Sequence, residues 1–270
     1  MQTITRSDGK TLTAVVSSTN ADKPVVIIIQ EWYRRHLEGE TVVFVAEASE
    51  PFFARHHSTP VSTLSTRLYA SLTLPIDDMT CITHSRWGIN DQMKKRALKF
   101  EEAGFRTILP DLYHGKVATQ AQEAKHLFDT LNWPEAFQDL HACVQWARAN
   151  GATKVAITGY CMGGALTLGY AAQFTDVDAI APFYGLPSDA LDLAKIQCPV
   201  QGHFAEIDDW CGPEKVEEKL NKKLTSEHTI YTYKGAHHAF TNENRPEVYD
   251  AKATEIALDR TMVFFGSKLF

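Results

Sequence analysis

The sequence contains no apolar run near the roughly 20 residues that a membrane-spanning helix requires, so nothing in it points to a bilayer-spanning segment. Its first residues, MQTITRSDGKT, lack the apolar centre of a secretory signal. Basic residues are the minority: 27 Lys and Arg stand against 33 Asp and Glu, a net charge of -6, which argues against a nucleic-acid binder held by phosphate contacts. Cysteine is scarce and scattered. The five, Cys81, Cys143, Cys161, Cys198 and Cys211, form no CxxC pair and no metal-ligand spacing, and an odd, dispersed set reads as free thiols rather than a disulfide framework. These absences lead us to expect a cytoplasmic protein with no metal, no cofactor, and neither nucleic acid nor membrane as partner. What is present is ample apolar material: 44% of 270 residues are hydrophobic, enough to bury a sizeable core.

Short β-rich runs alternate with longer helical ones. Strands are expected at 25–29, 106–109, 154–158, 177–182, 200–205 and 228–233, after an N-terminal hairpin turning at Ser7, Asp8 and Gly9. Helices are expected at 90–103, 134–150, 163–174, 213–224 and 247–269, the second carrying a stripe of Ala136, Leu140, Val144 and Ala147. This order predicts an α/β fold with a mostly parallel central sheet and helices on both faces. Chemistry in such sheets collects at the carboxyl ends of the strands.

One of those ends reads Thr158-Gly159-Tyr160-Cys161-Met162-Gly163-Gly164. A turn of the form G-x-nucleophile-x-G forces its central residue into a strained conformation, and the small flanking residues let the backbone pack closely enough to hold it. The helix that follows aims its N-terminal amides and positive dipole end at the sulfur, favouring a thiolate. Cys161 is therefore the candidate nucleophile, although a lone cysteine is more often a small buried hydrophobe.

A nucleophile of this kind needs a base, and the base an orienting carboxylate. Two later strands supply both: one runs into Ile207-Asp208-Asp209-Trp210, the other into Gly235-Ala236-His237-His238-Ala239-Phe240. The chain order nucleophile, acid, histidine is that of α/β-hydrolases. The residues alone leave Asp208 and Asp209, and His237 and His238, as open alternatives.

The motifs IIIQEW, PDLYHGK, GYCMGG, AEIDDW and GAHHAF, in this order, resemble the dienelactone hydrolase (carboxymethylenebutenolidase) family over residues 1–32 and 87–270. The resemblance implies an α/β-hydrolase fold and a Cys-His-Asp triad of Cys161, His238 and Asp208. It gives Glu31 the role of contacting the resting thiol and removing its proton. It also implies an oxyanion hole formed by the backbone N–H groups of Met162 and Trp32. Losing one such donor can cost about 3 kcal/mol of barrier stabilisation.

The thiol bears on substrate as well. A thiolate, with a parent pKa near ~8.5, leaves more readily than an alkoxide, so a tetrahedral intermediate from a plain alkyl ester collapses backwards. Enol lactones and similarly activated esters escape this, because an enolate leaves easily and becomes a ketone. The expected protein is thus a monomeric hydrolase of a small-molecule ester or lactone, working through an acyl-thioester. Dienelactone-specific family members grip the substrate carboxylate with arginines near DLY and beyond H-x-F. Here those places hold His114, Lys116 and Thr241-Asn242. Lys116, Tyr113, Trp210 and Phe240 are the candidate substrate contacts, with Lys116 offering a point charge rather than a bidentate fork.

Residues 33–86 separate QEW from WGIND, which family members join directly. This stretch holds five arginines and no lysine, against 16 lysines and six arginines elsewhere, and four of the 11 histidines. Without it 216 residues remain, a usual size for the family. Trp32-Tyr33 must be encoded TGG-TAY, which contains GTA, and an AGG codon at Arg86 would let an intron end there and regenerate Trp. We read the segment as a translated intron interrupting a single domain, with a genuine lid or interaction insertion as the alternative. cDNA running uninterrupted through it would eliminate the first. Two other functions stay open on the same fold: a non-catalytic ligand-binding homologue whose oxyanion loop the insertion disrupts, and a thiol redox sensor using Cys211 to resolve Cys161.

Overall fold

Five consecutive β-branched residues, Val25–Ile29, form a strand buried along its whole length, as such residues do at the centre of a two-sided sheet. In the computed structural model, which describes residues 1–17, 23–30, 91–116, 126–127 and 129–270, this strand is β3. The others are β1 (Gln2–Thr5), β2 (Thr11–Val16), β4 (Arg106–Pro110), β5 (Val155–Tyr160), β6 (Ala179–Phe183), β7 (Val200–Ile207) and β8 (His228–His237). Glu31, Trp32 and residues 33–86 lie outside the described residues.

These eight strands make one sheet in the order β1-β2-β4-β3-β5-β6-β7-β8. The N-terminal hairpin is antiparallel to its neighbours, and β4 through β8 run parallel. The mostly parallel sheet expected from the sequence is thus present, with every expected strand found within a few residues. The chain leaves β3 for β4 on one side and then returns to β5 on the other. That reversal opens a crevice beyond the carboxyl ends of β3 and β5.

The period-two alternation of the strands sorts the core into two layers. Val25, Ile27 and Ile29 join Ile157, Leu140, Val144 and Leu166, from the helices Trp133–Ala149 and Met162–Ala171. Val26 and Ile28 join Ala156, Phe100, Leu258 and Phe265, from the helices Asp91–Glu102 and Ala251–Leu269. Helix starts follow ordinary chemistry: Asn132 accepts from the Glu135 N–H, with Pro134 in the first turn, and Asp250 accepts from the Ala253 N–H. One expected helix differs. Residues 213–224 wind as a short α-turn, Pro213–Val216, and then as a π-turn, Glu217–Asn221, closed by a Lys222 N–H to Glu217 carbonyl bond of 3.1 Å. No described helix is long and apolar enough to cross a membrane.

Candidate active site

The elbow is built by exclusion of side chains. A Cβ on Gly159 would lie 2.2 Å from the Gly163 carbonyl oxygen, and one on Gly163 would lie 2.6 Å from that of Ile29. Without them the helix Met162–Ala171 seats directly on β3 and β5, and the chain turns so tightly that Cys161 takes φ 54° and ψ −112°. Its N–H bonds the Phe183 carbonyl at 3.0 Å, fixing the turn to β6. Two further non-glycine residues with positive φ stand beside it, Tyr184 (32°) after β6 and Ala239 (66°) after β8. Strain held at three neighbouring strand ends marks a site that the surrounding packing over-determines.

The side chains then converge. His238 Nε2 lies 3.2 Å from Cys161 Sγ, and His238 Nδ1 lies 2.7 Å from Asp208 Oδ2. The other carboxylate oxygen, Oδ1, accepts from the backbone N–H groups of Trp210 (2.9 Å) and Cys211 (3.0 Å). Burial works against ionisation of Asp208. The hydrogen bond from His238, the charge on that ring and the two amides outweigh it, holding the carboxyl below the usual carboxylate range. The imidazole is wedged edge-on by Trp210, at 4.7 Å, and by Tyr184, at 5.2 Å. Tyr184 is itself pinned by a 2.6 Å bond to the Thr241 hydroxyl. Asp209 and His237 are exposed and outside this chain of contacts.

A cleft of about 390 Å³ opens over Cys161 and His238. Met162 lines it as the first residue of its helix, which places its N–H at the helix N-terminus. Trp210 lines it too, but other expected contacts stand elsewhere. Lys116 lines a separate cavity of about 140 Å³ with His114, Glu135 and Asp139. Tyr113 borders that second cavity, and its buried hydroxyl donates to Met162 Sδ at 3.6 Å. Burial, and then the charge of Cys161, push the Tyr113 hydroxyl up. Phe240 is fully buried against Tyr184 and Tyr233 and belongs to the core. Trp133, Tyr184 and the run Leu186-Pro187-Ser188 line the cleft without having been singled out from sequence. No cluster able to hold a metal ion occurs among the described residues.

The sequence profile of the dienelactone hydrolase family matches residues 78–269. The chain belongs to the dienelactone hydrolase family. It is 30% identical over 201 residues to Protein usf of Aquifex pyrophilus, covering 70% of this chain and 87% of that one. It is 28% identical over 201 residues to Carboxymethylenebutenolidase 1 of Cupriavidus pinatubonensis, covering 67% of this chain and 82% of that one. The dienelactone hydrolase of Anabaena variabilis superposes with a TM-score of 0.61 at 15% identity, over 100% of this chain and 97% of the other, and so shares the α/β-hydrolase fold. As a dienelactone hydrolase family member the protein is a hydrolase acting on esters or lactones.

Proposed function

We propose that this member of the dienelactone hydrolase family opens enol lactones, or cleaves comparably activated esters, through an acyl-thioester on Cys161. The observation carrying this reading is the unbroken path from Asp208 through His238 to the Cys161 sulfur, with steps of 2.7 and 3.2 Å. His238 Nε2 takes the thiol proton as the sulfur attacks the acyl carbon, while Asp208 holds the ring and stabilises its positive charge. The Met162 N–H faces the carbonyl oxygen as it becomes negative. Trp32 as second donor and Glu31 as activator of the resting thiol complete the proposal from outside the described residues. Collapse breaks the acyl C–O bond, and the departing enolate takes the proton from His238 and becomes a ketone. Water then gives a proton to His238 and its oxygen to the acyl carbon. The thiolate leaves and recovers that proton, and a keto acid is released.

The redox alternative is less well supported. Cys211 borders the same cleft, but burial and the neighbouring Asp208 carboxylate push its thiol up to about 12, so it stays protonated and poorly nucleophilic. The test is covalent trapping. Acid quench during turnover of a dienelactone or an enol ester should leave one acyl group on the peptide bearing Cys161, and Cys161→Ala should lose at least about a thousandfold in kcat. Undiminished turnover in the alanine variant would sink the proposal. The same assay on a chain lacking residues 33–86 decides that segment: activity gained by deletion makes it foreign, and activity lost makes it a working part.

A further inference from the structure

The helix Asp91–Glu102 buries Gln92, Met93, Arg96, Ala97 and Phe100, the spacing of a core-facing stripe. Position 96 puts into that stripe a guanidinium belonging to a residue only 7% exposed. Its Nη2 donates to the Thr241 carbonyl oxygen at 2.8 Å, and its central carbon stands 5.0 Å from the centre of the Tyr160 ring. Its Nη1 is buried without a hydrogen-bond partner among the described residues. Desolvating a cation with one donor left open works against folding, and an apolar side chain of similar length would fill the space without that cost. The two contacts Arg96 does make point to another role. Tyr160 immediately precedes Cys161, and Thr241 stands three residues after His238. The Thr241 hydroxyl also bonds that of Tyr184, whose ring meets the His238 imidazole edge-on.

The nucleophile and the base follow strands that are far apart in the sheet. Between β5 and β8 lie β6 and β7, which sets them three strand spacings, or about 14 Å, from each other. No shared ladder therefore fixes the 3.2 Å between Cys161 Sγ and His238 Nε2. Building on the hydrolase reading above, we propose that Arg96 is a positioning residue that clamps the loop carrying His238 to the elbow carrying Cys161. Its charge-assisted hydrogen bond holds Thr241, its cation–π contact holds Tyr160, and one planar guanidinium joins the two. Proton transfer from Sγ to Nε2 needs hydrogen-bond reach, so loosening the clamp slows the chemical step more than it weakens substrate binding.

The experiment makes Arg96→Met in the full chain, which keeps an unbranched side chain in the core but removes both contacts, and reads two rates. On phenyl acetate, kcat should fall about thirtyfold or more while KM changes less than about threefold. Alkylation of Cys161 by iodoacetamide near pH 7, followed on its own peptide, should slow about fivefold or more, because His238 no longer stands where it can take the thiol proton. A merely structural role moves this second rate the other way, since a loosened fold exposes a buried thiol and speeds its alkylation. The slowing should vanish when Arg96→Met is added to His238→Ala, as expected of residues acting through one contact. Unchanged kcat, a loss carried by KM, unchanged or faster alkylation, or equal slowing in the His238→Ala background would each overturn the proposal and leave the hydrolase reading intact. If Arg96→Met does not fold, Arg96→Gln, which keeps a donor but is too short to reach both partners, is judged by the same measurements. If the unaltered chain turns over no ester, the hydrolase reading fails, and the alkylation rates alone decide whether Arg96 acts as the clamp.

Discussion

Asp208 and Asp209 share a turn, yet only the first carboxylate is withdrawn from water, its side chain fully buried against His238 while Asp209 stays exposed. Replacing Asp208 by Asn should leave the fold intact and lower kcat by about 10⁴, as loss of the orienting carboxylate does in other triads, whereas Asp209→Asn should leave steady-state rates unchanged. Equal losses in the two variants would place the carboxylate wrongly. Because the folded environment holds the Asp208 carboxyl below the usual carboxylate range, its protonation should contribute no acid limb to the pH–rate profile above about pH 4. Counting residues could not have separated the pair. The register of β7 on β8 slips between Ala205 and Ile207, and a bulge of that kind breaks the rule by which alternate residues face opposite sides. The preference for Asp208 and His238 came from family resemblance, not from periodicity. Tyr184 was invisible for another reason: its φ of 32° is a property of how β6 meets the elbow, and no glycine or asparagine announces it.

At the scale of elements, the helix Met162–Ala171 is buried on all sides, so its seat tolerates no added volume. Gly163→Ala would drive a methyl group to 2.6 Å from the Ile29 carbonyl oxygen and 2.8 Å from that of Gln30. We expect a loss of about 1–3 kcal/mol in urea unfolding, with a larger proportional loss of activity because Gly163 lies in the first turn of the helix that begins right after Cys161. Gly266→Ala, where nothing lies within 4 Å of the added atom, serves as the control, and equal effects of the two changes would refute the packing account. The strands and long helices were legible because short continuous apolar runs such as Val25–Ile29 and helical stripes such as Ala136, Leu140, Val144 and Ala147 both survive in this sequence. The helix at 213–224 was not, since the switch from α to π winding depends on which carbonyl the Lys222 N–H finds, and apolar spacing does not encode that choice. Lys116 lines a different cavity and Phe240 is buried in the core, and in each case a non-glycine residue of positive φ, His114 or Ala239, stands within two positions, a backbone feature that residue spacing does not announce.

Across the whole molecule, one buried histidine ties the outer sheet to the C-terminal helix. His203 stacks on Phe183 at 4.4 Å and bonds Tyr233 (2.8 Å), Gln201 (3.1 Å) and Thr261 (3.0 Å). Burial, helped by the charge of Arg260, pushes its pKa down to about 3 from an ordinary 6.5. The unfolded chain therefore binds a proton near pH 6.5 that the native protein refuses until about pH 3. Stability from this group is complete above pH 6.5 and is lost as pH falls through that window, by at most about 1.4 kcal/mol per unit. In His203→Gln the urea midpoint should fall less steeply between pH 6.5 and 4, and parallel slopes would disprove the assignment. The position of β8 at the edge of the sheet has a separate consequence. Cys161 follows β5, which has partners on both sides, whereas His238 follows a strand that, among the described residues, pairs with β7 alone. Amide exchange should thus find the nucleophile's strand protected up to global opening, and the base's strand released by a smaller local excursion. Catalytic competence would then have its own lower melting point, and mild heating would silence the enzyme reversibly while most of the sheet remained formed.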